Sequence, residues 1–215
     1  TNPDPIQGDV SAPTTRELRE LISGAHSAQN RAVTAEDFKT LVLSMPAKFG
    51  GIKRCAVIQD VDSNLRNINI YVVNQNNAGT VETTNTILKE NIKTWLNTKR
   101  MINDSVDILD AKVVNLAIRF SAIVTNNESK SVVYSRIQSR MNKYFSEKLD
   151  IGESFSITDL YSLINRTQGV IDAIFVEVFQ QTGPGYATTK FNVKNNTTPD
   201  GRMIIAPKNV VFEVK

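Results

Sequence analysis

The sequence predicts an α+β fold: helices packed on small, mostly antiparallel sheets in two consecutive subdomains, with a C-terminal β tail. Three observations predict it. Apolar residues alternate with period two at Ile68, Ile70 and Val72, and again at Leu116, Ile118, Phe120, Ala122 and Val124. Elsewhere they recur at helical spacing, most cleanly at Ile157, Leu160, Tyr161 and Ile164. Capping residues open helices, and Pro46 and Gly50-Gly51 close one of them.

In chain order, the Pro-, Asp- and Gly-containing residues 1–12 read as a linker. A helix follows from Thr14 or Thr15, with Leu18, Leu21, Ile22 and Ala25 at helical spacing. The stretch from Arg31 to Phe38 reads as an extended segment entering a capped helix. The Thr34 hydroxyl suits an orphan amide of the first turn, and the Asp37 carboxylate reaches back to the Thr34 amide. That helix runs over 35–45 and buries Phe38, Leu41, Val42 and Met45. Strands are predicted near 52–60 and 67–74, with a turn over Asp60–Asn64. A third helix over 84–97 turns Leu88, Ile92, Trp95 and Leu96 inward. Asp104, Asp107 and Asp110 read as loop and solvated strand edge.

A long strand is predicted over 112–124, then a helix over 130–148 burying Val133, Ile137, Met141, Tyr144 and Phe145, and another over 157–166. Strand 170–179 is apolar on both faces, which predicts a central place in its sheet. A Gly-Pro loop at 183–185 leads to short strands near 188–193, 202–206 and 210–214. The resulting organisation is 1–29 linker and N-terminal helix, 30–110 first α+β subdomain, 111–180 second β-α-α-β subdomain, and 181–215 C-terminal β tail. Thr34 through Gly51-Ile52 is weakly echoed by Ser156 through Gly169-Val170, each a capped helix, a Gly turn and a strand.

Composition narrows the function classes. The 215 residues are 40% hydrophobic, and 25 basic against 22 acidic residues leave a net charge of +3, too balanced to call for nucleic acid or a membrane. No apolar run approaches the roughly 20 residues of a membrane span. The single cysteine, Cys55, gives no internal disulfide framework and reads as a buried structural thiol. The sequons at Asn127, Asn165, Asn195 and Asn196 then read as chance matches. The first residue, Thr1, suggests a fragment or processed chain.

No constellation calls for chemistry, a metal or a cofactor, and the chain reads as a non-enzyme. Asp60, Asp62 and Asn64 begin a calcium-loop pattern, but Leu65 replaces the turn glycine and Tyr71 the closing glutamate. His26 has no ligand cluster at metal spacing and no nucleophile partner nearby in sequence. Gly183-Pro184-Gly185 lacks the Lys-Ser/Thr of a phosphate loop. Arg136, Arg140 and Lys143 form a basic stripe that reads as the wet face of its helix.

The stretch Ala28 to Phe38, its helix, and Gly51-Ile-Lys-Arg-Cys-Ala-Val together resemble the baseplate J-like family of contractile phage tails. The likeness continues in order through Asn69–Val73, the helix ending at Trp95–Arg100, Asp104–Ala111, and Ser156–Asp172. It covers most of residues 13–180 and weakens after Gln180. The resemblance implies a structural virion protein of the tail baseplate, assembled in the host cytoplasm. It implies an inner ring around the tail tube, made by self-association and by contacts with other baseplate wedge proteins, that rearranges when the sheath contracts. It also implies a large N-terminal region upstream, and it brings no catalytic residues.

Tyr186, Phe191, Phe212 and Val214 are the candidate interface residues, because a late, partly apolar tail must cover something. The same residues would equally serve if the tail closed its own sheet. The alternative function is a stand-alone α+β module binding nucleic acid or a small ligand. A hydrolase built from loops ranks last, since a single histidine leaves few bases.

Overall fold

The computed structural model describes residues 14–60, 67–75 and 81–214. The chain divides into two units, Thr1–Ala111 and Lys112–Lys215. The expected linker over 1–12 and most of the expected turn at Asp60–Asn64 lie outside the described residues.

The first unit runs α1 (Thr15–Ala28), α2 (Ala35–Leu43), a 3-10 turn (Ala47–Phe49), β1 (Arg54–Gln59), β2 (Asn67–Gln75), β3 (Val81–Glu82), α3 (Thr86–Asn97) and β4 (Ser105–Asp110). β2 organises the sheet: it pairs antiparallel with β1 and β3 and parallel with β4. Cys55, Ile68, Ile70, Val72 and Val106 from the strands pack with Phe38, Leu41 and Val42 of α2 and Leu88, Ile92 and Leu96 of α3. Burying each large apolar side chain contributes about 1.5–3 kcal/mol. The Trp95 Nε1 donates to the Leu41 carbonyl at 3.0 Å, satisfying an orphan acceptor at the end of α2.

Two capping boxes fix where helices begin. Thr14 and Glu17 cap α1, and Thr34 and Asp37 cap α2. The Asp37 Oδ2 accepts from the Thr34 amide at 2.8 Å and the Val33 amide at 3.2 Å, while the Thr34 Oγ1 accepts from the Asp37 amide at 3.2 Å. α1 lies against α2 at close range. A Cβ on Gly24 would fall 2.3 Å from the Thr40 Oγ1, so only glycine admits this approach.

β4 is a strand that the sequence disguised as loop and strand edge. Its acidic residues at every third position hide the alternation, and α3 explains them. Asp110 accepts from the Lys89 Nζ at 2.6 Å and from the Thr84 amide at 3.1 Å. Asp107 accepts from the Lys93 Nζ at 3.4 Å and the Asn67 Nδ2 at 3.1 Å. The two lysines are one helical turn apart and tie α3 along the strand.

The second unit runs β5 (Lys112–Val124), α4 (Lys130–Lys148), β6 (Phe155–Ser156), α5 (Ile157–Asn165), β7 (Val170–Gln180), a 3-10 turn (Lys194–Asn196), β8 (Met203–Ile204) and β9 (Val210–Val214). Its main sheet has the order β7-β5-β9, with β7 antiparallel and β9 parallel to β5. β6 and β8 form a separate pair. The α+β class and mostly antiparallel pairing expected from sequence are thus observed, with β2–β4 and β5–β9 as the parallel pairs.

Two expectations about strands require correction. β7 lies at a sheet edge, not at its centre. Residues 188–193 form no strand. The Gln180 carboxamide takes the part a neighbouring strand would play there: its Nε2 donates to the Thr189 carbonyl and its Oε1 accepts from the Phe191 amide at 2.7 Å.

The basic stripe of α4 is more than a wet face. Arg136 reaches Glu128 and the Gln168 carbonyl, and Arg140 reaches the Arg166 carbonyl, so both guanidinium groups hold the turn after α5. Gly169 in that turn has φ +91°, and a Cβ there would meet Val133 Cγ2 at 2.8 Å and Glu128 Oε2 at 2.9 Å. The turn is closed to any side chain twice over, by backbone sign and by space. Tyr144 donates to Asp159 at 3.2 Å; burial first, then the Asp159 charge, pushes its phenol up to about 12.

Gly169→Ala is expected to lower stability by at least about 1 kcal/mol in chemical denaturation, since the left-handed conformation alone costs an L-residue that much. The Asp37 carboxyl is pushed up by burial, but the Thr34 and Val33 hydrogen bonds and the Arg31 charge outweigh this and hold it below the ordinary aspartate value of 3.8. A depressed folded value stabilises above 3.8 and loses that contribution as pH falls through the folded value. Asp37→Asn is therefore expected to flatten the acid limb of the stability–pH curve and to cost up to about 1 kcal/mol near neutrality, because the carboxylate charge at the positive end of the helix dipole is lost while the amide acceptor remains.

Candidate assembly surface

The four sequence-selected tail residues are engaged within the second unit. Phe212 is 2% exposed, and its ring meets Phe155 and Phe191 edge-on at 5.7 and 5.3 Å. With Phe145–Phe155 and Tyr144–Phe145 contacts at 5.5 and 5.2 Å, these rings form a continuous aromatic run through the core. Val214 pairs with Leu116 in the β9–β5 ladder and is half-buried against the same core. The Tyr186 hydroxyl accepts from the Gln181 Nε2 at 2.9 Å.

Asn115 fastens this tail. It is 1% exposed; its Nδ2 donates to Glu213 at 2.7 Å, its Oδ1 accepts from the Ala187 amide at 2.6 Å, and its carbonyl accepts from the Gln181 amide at 2.9 Å. One side chain on β5 therefore holds β9 and the loop containing Tyr186. Fully paired buried polar groups of this kind specify a single arrangement.

A group of exposed apolar side chains of the second unit lies on the face of the sheet away from its core. Ile123, Ile171, Ile174, Phe175 and Phe179 are 47, 63, 61, 44 and 36% exposed. Two β-bulges place them. The β5–β7 register skips Ile171 and Ile174, so each is an extra residue, while Val170, Ala173, Val176 and Val178 keep facing Val124, Ala122, Phe120 and Ile118. Between the outer phenylalanines, Arg119 and Glu177 stand directly opposite each other at 3.7 Å, both well exposed. The Arg119 guanidinium also sits 5.2 Å from the Phe179 ring centroid. A shallow depression of about 370 Å³, bordered by Ile123, Asn126 and Lys130, adjoins this face.

The outer edge of β7 is partly closed. The Tyr161 hydroxyl accepts from the Val176 amide at 3.0 Å, and the Asn165 Oδ1 accepts from the Ala173 amide at 2.7 Å. Both side chains come from α5, and both occupy amides that an added strand would need.

In the first unit, a parallel bridge between Ala32 and Arg100 sets exposed Val33 beside exposed Met101, and Ile102 projects almost wholly into solvent. Among the described residues no cluster of three His, Cys, Asp or Glu side chains could hold a metal, and no helix is long and apolar enough to cross a membrane. His26 lies exposed in the last turn of α1, and Cys55 is buried in β1.

The β5–β7 outer face was missed in the sequence, although a signal for it was present. A strand apolar on both faces predicts cover on both sides, and at a sheet edge the second cover must come from elsewhere.

No family model matches the sequence, and no curated protein matches it significantly. Among solved structures, the fold is similar to a chain in the cryo-EM structure of the anti-feeding prophage (AFP) baseplate, six-fold symmetrised, with a TM-score of 0.58 and 11% identity. The match covers 94% of this chain and 42% of that one, so the present chain spans less than half the length of its structural neighbour.

Phe212→Asp is expected to abolish the cooperative unfolding transition of the second unit, because it buries a charge in the aromatic run. Asn115→Leu is expected to cost about 1–3 kcal/mol in denaturant, by leaving the Ala187 amide without its acceptor and taking a donor from the Glu213 carboxylate.

Proposed function

We propose that this chain is a structural subunit of a contractile-tail baseplate wedge, carried in the virion and acting through protein–protein interfaces. The observation that carries this reading is the fold likeness, over 94% of the chain, to a chain from a six-fold symmetrised baseplate. The ordered resemblance of residues 13–180 to the baseplate J-like family supports it from sequence, most nearly to the C-terminal part of the T-even-type wedge protein. In this reading the chain helps form the inner ring around the tail tube, contacts further copies of itself and other wedge proteins, and shifts with the ring on sheath contraction. No catalytic residue is assigned.

The structure favours this reading over a nucleic-acid module in one respect. The guanidinium groups of Arg136 and Arg140 are directed at the turn after α5 and do not form an open basic platform.

Antibody labelling of purified tail particles tests the proposal, with label expected at the baseplate. Particles lacking the chain would overturn it. Nucleic-acid binding that is strong at low salt and falls steeply as salt rises would instead favour the alternative module.

A further inference from the structure

We infer that the outer face of β5 and β7 is a two-fold contact with a second copy of this chain. The inference rests on the self-association contained in the reading above and names the surface that makes it. The face complements itself. On β7 the outward residues Phe175 and Phe179 are large and flank Glu177; their cross-strand neighbours on β5, Ser121 and Ala117, are small and flank Arg119. A two-fold axis parallel to the strands, above the sheet and midway between β5 and β7, lays β5 of each copy over β7 of the other. Each phenylalanine then meets a small residue of the second copy, and each Arg119 meets the partner's Glu177.

This is aligned face-to-face sheet packing, with the sheets about 10 Å apart. Closed two-fold contacts are the commonest way identical chains associate. Ile123, Ile171 and Ile174 border the two ion pairs on one side, where exposed Asp172, opposite Ile123, adds a carboxylate at the end of the face. The pair within one chain is exposed and separated by 3.7 Å, so it contributes little in water and can exchange partners at no great loss. One cation and one anion facing each other give the centre of the face no net charge, which suits a second copy better than a strongly charged partner. Pairing through the β7 edge is the competing geometry, and Tyr161 and Asn165 obstruct it at Val176 and Ala173.

Sedimentation velocity of the 215-residue chain over a wide concentration range tests the contact. The wild-type chain is expected to dimerise reversibly. Glu177→Arg and Arg119→Glu are each expected to weaken the dimer at least about tenfold by setting like charges opposite one another. An equimolar mixture of the two variants is expected to regain association, because a doubly basic centre at positions 119 and 177 then meets a doubly acidic one. Mixing cannot restore a pair inside one chain, so recovery assigns the contact between chains.

Phe179→Ser, at an exposed position, tests the same face should a charge variant misfold, as judged by circular dichroism; it too is expected to weaken the dimer. Undiminished association of the folded variants, or failure of the mixture to recover it, overturns the inference. A strictly monomeric wild-type chain also overturns it, while labelling of tail particles continues to decide the baseplate reading separately.

Discussion

Every backbone polar group of a buried strand needs a partner, and in the second unit that demand falls hardest on β5. β7 pairs with it from Leu116 to Val124, and β9 pairs with it from Lys112 to Leu116. The two ladders meet at Asn115, where β9 approaches its end and the chain beyond β7 turns away. The Asn115 side chain bridges that junction by holding Glu213 and the Ala187 amide. With β9 held in register, Phe212 enters the core and completes the aromatic run from Tyr144 to Phe191. Tail closure and core packing thus both depend on pairing the first part of β5 with β9 and the rest with β7.

The same sheet presents two different surfaces. Its inner face is covered by α4 and α5, and the bulges in β7 preserve that face in register. Their extra residues, Ile171 and Ile174, appear on the other side, where nothing among the described residues covers them. α5 meanwhile caps part of the outer edge of β7 through Tyr161 and Asn165, which discourages unspecific strand addition without closing the apolar face.

The first unit achieves its arrangement through local signals joined to charge matching. Thr34 and Asp37 start α2 at a defined residue, and the opposed lysines and aspartates align α3 with β4. The second unit only partly repeats this logic. The Ser156 hydroxyl accepts from the Thr158 amide at 3.1 Å, while Asp159, where a capping box would place its reciprocal carboxylate, accepts from Tyr144. The weak sequence echo between the two regions therefore extends to helix, glycine turn and strand, but not to how the caps are made.

What the sequence determined by itself was local: the capped start of α2, the long period-two run of β5, and the helical-period faces of α4 and α5. These depend on neighbours within a few residues, so pattern alone reveals them. The tertiary structure decided whatever depends on distant partners. It placed β7 at an edge, made β4 a parallel strand, replaced an expected strand at 188–193 by bonds to Gln180, and drew Phe212 into the core. Apolar residues mark a surface to be covered without specifying what covers it. For β7 the inner cover came from α4 and α5, and the outer face remained exposed.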